Sequence, residues 1–139
     1  MILFQNTIIK LDYNPATDIL EVEYPNLHVF LLPEIKHSIT IMAEYIRNYD
    51  VKRLILDSSK TTVSVSAEES RDVALFLAEG LMKTRLQKVA RVQSVSSSVE
   101  STARENIKQI NQNLQLTFQL RNFTHKADAV KWLQGINTE

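Results

Sequence analysis

Glycine is scarce in this chain: Gly80 and Gly135 are the two among 139 residues, where average usage of about 7% would give roughly ten. A phosphate-cradling P-loop needs two glycines in one short stretch, and a dinucleotide fingerprint needs three. Neither can be built here. Cysteine is absent, which excludes a disulfide framework, a thiolate nucleophile and a cysteine-based zinc site. Its absence is compatible with a reducing compartment. Neither sign of charge is in excess. Sixteen basic residues balance sixteen acidic ones, so no overall field marks a nucleic-acid binder. Long apolar runs are missing too. No stretch approaches the roughly 18 residues of a membrane span, and the run Val29 to Leu32 stops at Pro33 and Glu34. Met1 to Phe4 is apolar but lacks a basic region and a cleavage site, so it does not read as a signal peptide. Cytoplasm is the expected location.

What is present is ordinary for a globular chain: 44% apolar and 23% charged residues. The length suits one domain with one real core. The neutral total hides an asymmetry. Residues 1–69 carry six basic and ten acidic side chains, and residues 70–139 carry ten and six. Two halves that interleave in space would cancel these fields, as sequence halves usually do in an α/β domain.

Periodicity gives the elements. Ile9, Leu11 and Tyr13 alternate with Lys10 and Asp12, and Leu20, Val22 and Tyr24 alternate with Glu21 and Glu23. A period of two is a half-buried strand, and Asn14-Pro15-Ala16-Thr17-Asp18 between them is a turn. The pair predicts a hairpin with its acids outward. Pro33 suits a helix start. Ile35, Ile39, Met42, Ile46 and Tyr49 then mark one face of a helix ending near Asn48 to Asp50. Leu54-Ile55-Leu56 is a continuous apolar run, expected of a central strand covered on both faces. Ser66-Ala67-Glu68-Glu69 fits a capping box, opening a helix through Val73, Phe76, Leu77 and Leu81.

Val89 to Val95 is the next predicted strand. Ser97-Ser98-Val99-Glu100 reads as a second capping box, with Val99, Ala103, Ile107 and Ile110 on one helical face. Leu114 to Leu120 alternates as a fifth strand. Thr124 is the expected cap of a last helix whose inner residues are Ala129, Val130, Leu133 and Ile136, with Trp132 over an edge. The order is β-β-α-β-α-β-α-β-α, which implies an α/β fold with a mixed or parallel sheet and helices packed on it.

This order resembles the STAS fold of bacterial anti-anti-sigma factors, and more narrowly the stand-alone SpoIIAA-like proteins. The pieces that carry the resemblance are the hairpin Leu11 to Glu23, the strand Lys52 to Asp57 and the closing segment Phe123 to Leu133. It implies one STAS-like domain over residues 1–139, with a mixed sheet packed by helices. It also implies a non-enzymatic regulatory module that works by binding a protein. In that family a kinase phosphorylates a serine at the start of the second helix, in an Asp-Ser-Ser-Gly motif. The equivalent stretch here, Val63 to Ser70, has no Asp-Ser pair and no glycine. Asp57-Ser58-Ser59-Lys60 has similar letters but lies some eight residues too early. The phospho-switch motif is therefore not retained. At Ser66, Glu68 and Glu69 already occupy the helix end and would repel a phosphate.

Asp57, Ser58, Ser59 and Ser66 remain the candidate regulatory or interaction residues. Asp57 leads because ligands gather at the carboxyl ends of strands in open α/β sheets. A phosphoaspartate receiver would also need an acidic cluster after its first strand, and that strand leads into a hairpin instead. His28, His37 and His125 lack metal-ligand spacing, so no metal or cofactor is expected. No serine sits in a G-x-S-x-G elbow, and no nucleophile has a visible base, so the chain does not read as an enzyme. Lys83, Arg85, Lys88 and Arg91 form the strongest basic cluster, but no aromatic interleaves it for base stacking. Met1 to Phe4 and Trp132 are core residues by default and otherwise a dimer seam or partner groove. Two function classes follow: an interaction module with a protein partner, and a carrier of a small apolar or lipid-like ligand held between the sheet and the first helix. A cavity of about 300 Å³ there would favour the carrier. A solid core with an exposed apolar patch would favour the partner surface.

Overall fold

The computed structural model describes residues 1–135. Four helices pack on a six-stranded mixed sheet. The strands are β1 (Ile2–Gln5), β2 (Lys10–Asn14), β3 (Ile19–Glu23), β5 (Arg53–Asp57), β7 (Lys88–Val92) and β8 (Gln119–Phe123), in the order β1-β2-β3-β5-β7-β8. The first three are antiparallel, and β3, β5, β7 and β8 run parallel. β4 (Leu27–His28) and β6 (Val63–Ser64) form a separate two-stranded parallel patch. The helices are α1 (Leu32–Asn48), α2 (Ala67–Met82), α3 (Ser97–Asn113) and α4 (Lys126–Leu133).

The expected hairpin and central strand are in place. Leu54, Ile55 and Leu56 are all buried, because helices cover both faces of β5. On one face, Leu11, Leu20, Val22, Leu54, Leu56 and Val89 meet Ile35, Ile39, Met42 and Ile46 of α1 and Val73, Leu77 and Leu81 of α2. On the other face, Ile19, Ile55, Ala90 and Val92 meet Ala129 and Leu133 of α4. Trp132 covers that edge against Phe123, with ring centres 5.6 Å apart. Ile136, expected to face inward too, lies outside the described residues.

The turns show how the chain manages with little glycine. Asp18 and Asp50 both hold a positive φ, near 54°, where an L-residue is eased by a short side chain that bonds locally. Asp18 accepts from the Tyr13 hydroxyl at 2.7 Å and from the Lys52 amide at 3.3 Å. Gly135, φ 77°, sits just past α4, where a left-handed residue ends a helix.

Four expectations need correction. The apolar start is an edge strand, β1, with Phe4 against Tyr45 of α1 at 5.7 Å between ring centres. The last strand is Gln119–Phe123 rather than Leu114 to Leu120. The connection 114–118 shows the same alternation because Leu116 and Phe118 turn toward the helix-covered side. Ser97 does not open a capping box. Ser96 is the cap of α3, accepting from the Val99 amide, and Glu100 is drawn away to Arg91. Thr124 bonds Gln93, and His125 stands at the α4 cap position without a side-chain cap bond. The Ser66 box is present as expected, with bonds of 3.0 and 2.9 Å to and from Glu69.

Candidate functional site

Two features stand out on the α1–α3 side of the sheet: an exposed apolar turn and a concave apolar pocket.

The turn is Val29–Leu31, one 3-10 turn leading into α1. Its three apolar side chains are 44%, 82% and 40% exposed. Its geometry is fixed from both sides. Leu27 is buried and pairs with Val63, and the Ser64 hydroxyl donates to the Leu27 carbonyl at 3.1 Å. His28 Nδ1 accepts from the Phe30 amide at 3.3 Å, and its ring lies 5.4 Å from the Phe30 ring. Pro33 then sets the first turn of α1. Phe30 thus stands outward on a braced backbone. Val95 is even more exposed, at 97%, but it stands alone among serines.

The pocket lies between α2, α3 and the sheet and has a volume of about 100 Å³. Its floor is Leu56 and Val89. Small residues of α2, Ala74 and Ala78, form one wall, and the α3 stripe Val99, Ala103 and Ile107 forms the other. Leu116 and Phe118 close the far end. The α3 stripe residues and this last segment are only half-buried, so the pocket reaches solvent there. α1 contributes no lining residue; the stripe that α1 turns inward is sealed.

A polar set stands around the apolar walls. Arg91 on β7 and Glu100 on α3 form a two-pronged ion pair at 2.9 and 2.8 Å, with both side chains almost fully buried. The Ser94 amide donates to the same carboxylate at 2.7 Å. Burial alone would raise the Glu100 carboxyl. The Arg91 hydrogen bonds, the Ser94 amide and the charges of Arg91 and Arg104 outweigh it and hold the group below its usual range. Asn106 of α3 donates to the Ser70 hydroxyl of α2 at 3.1 Å, both residues being buried. Tyr24, just past β3, also lines the pocket, and burial pushes its hydroxyl up to about 12 against a smaller opposing effect of Arg91.

The residues singled out by sequence fall in different surroundings. Ser58 is 2% exposed and lines the pocket. Its amide donates to the Val92 carbonyl at 3.0 Å, tying β5 to β7. Asp57, one residue earlier on the strand, belongs to the other face by alternation, and its carboxylate accepts from the Ser59 amide at 2.9 Å in a local turn. Ser59 is half-buried. Ser66 is exposed, but its hydroxyl is engaged as the α2 cap. The basic cluster is dispersed. Arg85 points outward near Asp50 at 3.8 Å, Lys88 lies 5.1 Å from the Trp132 ring centre on the α4 side, and Arg91 serves the Glu100 pair on the other side. Lys88 and Arg91 are three apart on a strand, so they face opposite ways. Glu21, expected on a solvated hairpin face, pairs with Lys126 of α4.

A second, more polar groove of about 350 Å³ lies on the α4 side beside the hairpin, touching Asp12, Thr17 and Glu21. Among the described residues no three His, Asp or Glu side chains gather as a metal site, and no helix is long and apolar enough to cross a membrane. Comparison with protein-family models, with curated proteins and with solved structures gives no match.

Proposed function

We propose that this chain is a STAS-like interaction module whose partner-binding element is the Val29–Leu31 turn. The STAS reading is supported by the order of elements: three antiparallel strands that include the expected β2–β3 hairpin, then alternating helices and parallel strands in one mixed sheet. The observation that carries the partner reading is the exposure of three consecutive apolar side chains on a braced turn, with Phe30 at 82%. A large aromatic held outward at fixed geometry loses little conformational freedom on binding. Its convex shape fits a protein partner that offers a concave apolar cleft. The partner is engaged by shape rather than by a phosphate, because Ser58 is buried and the Ser66 hydroxyl is engaged in its cap.

The test is affinity capture from native cells with the wild-type chain and with Phe30→Asp, checked for unchanged secondary structure. A specific protein recovered by the wild type and lost by the variant is the expected result. Identical recovery by both removes the turn as the binding element. Sedimentation of the isolated chain separates a self-partner from a foreign one.

A second reading is a carrier of a small apolar ligand, with its pocket not under the first helix, as the sequence suggests, but between α2 and α3, because the apolar stripe of α1 is sealed. At about 100 Å³ the pocket is below the roughly 300 Å³ of a drug-sized site. It is closer to an engineered apolar cavity of about 150 Å³ that accepts benzene.

A further inference from the structure

We infer that the α2–α3 pocket takes a small uncharged molecule with an apolar body and one hydroxyl or carbonyl group, anchored by the Tyr24 hydroxyl. The assignment rests on the carrier reading and narrows it to a chemical class. Three properties of the pocket lead to it.

The first is shape. The α3 stripe leaves Val99, Ala103 and Ile107 half-buried beside the half-buried Leu116 and Phe118. Apolar surface is thus left partly wet around one cleft. An occupant of roughly benzene size would complete its burial, at roughly 25 cal/mol per Å² removed from water.

The second is charge. Arg91 and Glu100 are the ionised groups at the pocket, and each holds the other with two short bonds. Glu100 also takes the Ser94 amide. The pair leaves no free cation for a carboxylate or phosphate and no free anion for an amine. A charged ligand would lose its hydration without finding a counter-charge.

The third is the hydrogen-bonding inventory. Among the described residues, no hydrogen bond reaches the Tyr24 hydroxyl. Its carbonyl, by contrast, accepts from Thr61 at 3.0 Å and its amide donates to Asp57. A tyrosine hydroxyl is protonated across the neutral range, and burial raises this one further, so it can both donate and accept. The Ser58 hydroxyl, on the same wall, likewise makes no hydrogen bond among the described residues, and neither of the two oxygens is sealed from the pocket. A ligand hydroxyl or carbonyl supplies the missing bond.

The test is NMR titration of the full chain with benzene, phenol and benzoate as probes, following backbone amides of residues 70–81, 99–110 and 116–120. Phenol is expected to bind about 3–10-fold more tightly than benzene, the worth of one net hydrogen bond, and benzoate is expected to bind least. Tyr24→Phe should reduce phenol to the affinity of benzene and leave benzene unchanged. Equal binding of phenol and benzene by the wild type, or tightest binding of benzoate, overturns the inference while the carrier reading stands. A phenol preference that survives Tyr24→Phe overturns the anchor. Binding of none of the three removes the carrier reading and this inference together. The ranking on the wild-type chain needs no variant to fold.

Discussion

α1 and α3 are both 17 residues long, both amphipathic, and both packed on the same side of the sheet. They are buried in different ways. α1 places Ile35, Ile39, Met42 and Ile46 fully inside. Of the α3 stripe, only Ile110 is fully buried, and the other buried residues of that helix are Glu100 and Asn106. α1 is held by apolar packing, whereas α3 is pinned by an ion pair to β7 and an amide–hydroxyl bond to α2. An apolar contact gains from every atom that closes in. A polar contact fixes a distance and leaves the space beside it unfilled. That is why the pocket lies beside α3 and the α1 side is sealed. The exposed apolar residues on the α1 side, Val29 to Leu31, lie outside the helix, on the turn that leads into it.

The largest effect expected from breaking this contrast is at the α3 pin. Glu100→Ala leaves Arg91 buried without its partner and should destabilise the fold by about 3–5 kcal/mol, read from the urea midpoint. Next come matched truncations on the two helices. Ile39→Ala should cost about 2–5 kcal/mol. Ile107→Ala, half-buried beside open space, should cost about 1 kcal/mol or less. Equal costs would show that α3 is packed as tightly as α1. Ser66→Ala, which removes one cap bond from α2, should cost about 1 kcal/mol.

Titration separates the two sides as well. The native carboxyl of Glu100 is held below its unfolded value. Its contribution is therefore present above about pH 4.3 and is lost as pH falls through the lower native value. Glu100→Gln should flatten that acid limb. Tyr24 is raised by burial, and Tyr13 by burial and by the Asp18 carboxylate, each to about 12. Their contributions are complete below about pH 10 and are lost as pH rises toward 12. Tyr24→Phe and Tyr13→Phe should each reduce the alkaline loss of stability, measured as the shift of the urea midpoint between pH 9 and 11.

Local order explains what was legible in the sequence. The hairpin, α1, the Ser66 box and the buried Leu54-Ile55-Leu56 strand follow from periods and caps within a dozen residues. The last strand was misplaced because Leu116 and Phe118 alternate as a strand would while lining a pocket. The two-residue pair β4–β6 had too little sequence to show a period, yet it braces the Phe30 turn. At the candidate site, the strand end points to Asp57 and the Asp57-Ser58-Ser59 letters bring in Ser58; of these the structure makes Ser58 a wall of the pocket. Tyr24, Arg91 and the Glu100 pair were missed because their relations cross elements. One signal was present. Glu100 and Asn106 fall on the same helical face as Val99, Ala103, Ile107 and Ile110, and polar residues within an apolar stripe require partners.

Phe30 and Val95 supply the most direct measurement of the central claim, that the braced turn before α1 is the partner-binding element. Both are highly exposed apolar residues just ahead of a helix, and only Phe30 belongs to a braced apolar cluster. A photo-crosslinking amino acid is placed at position 30 and, separately, at position 95, and the full chain is irradiated in native cells. The account predicts a discrete crosslinked partner from position 30 and none from position 95. The same adducts from both positions, or a discrete partner from position 95 alone, would contradict it.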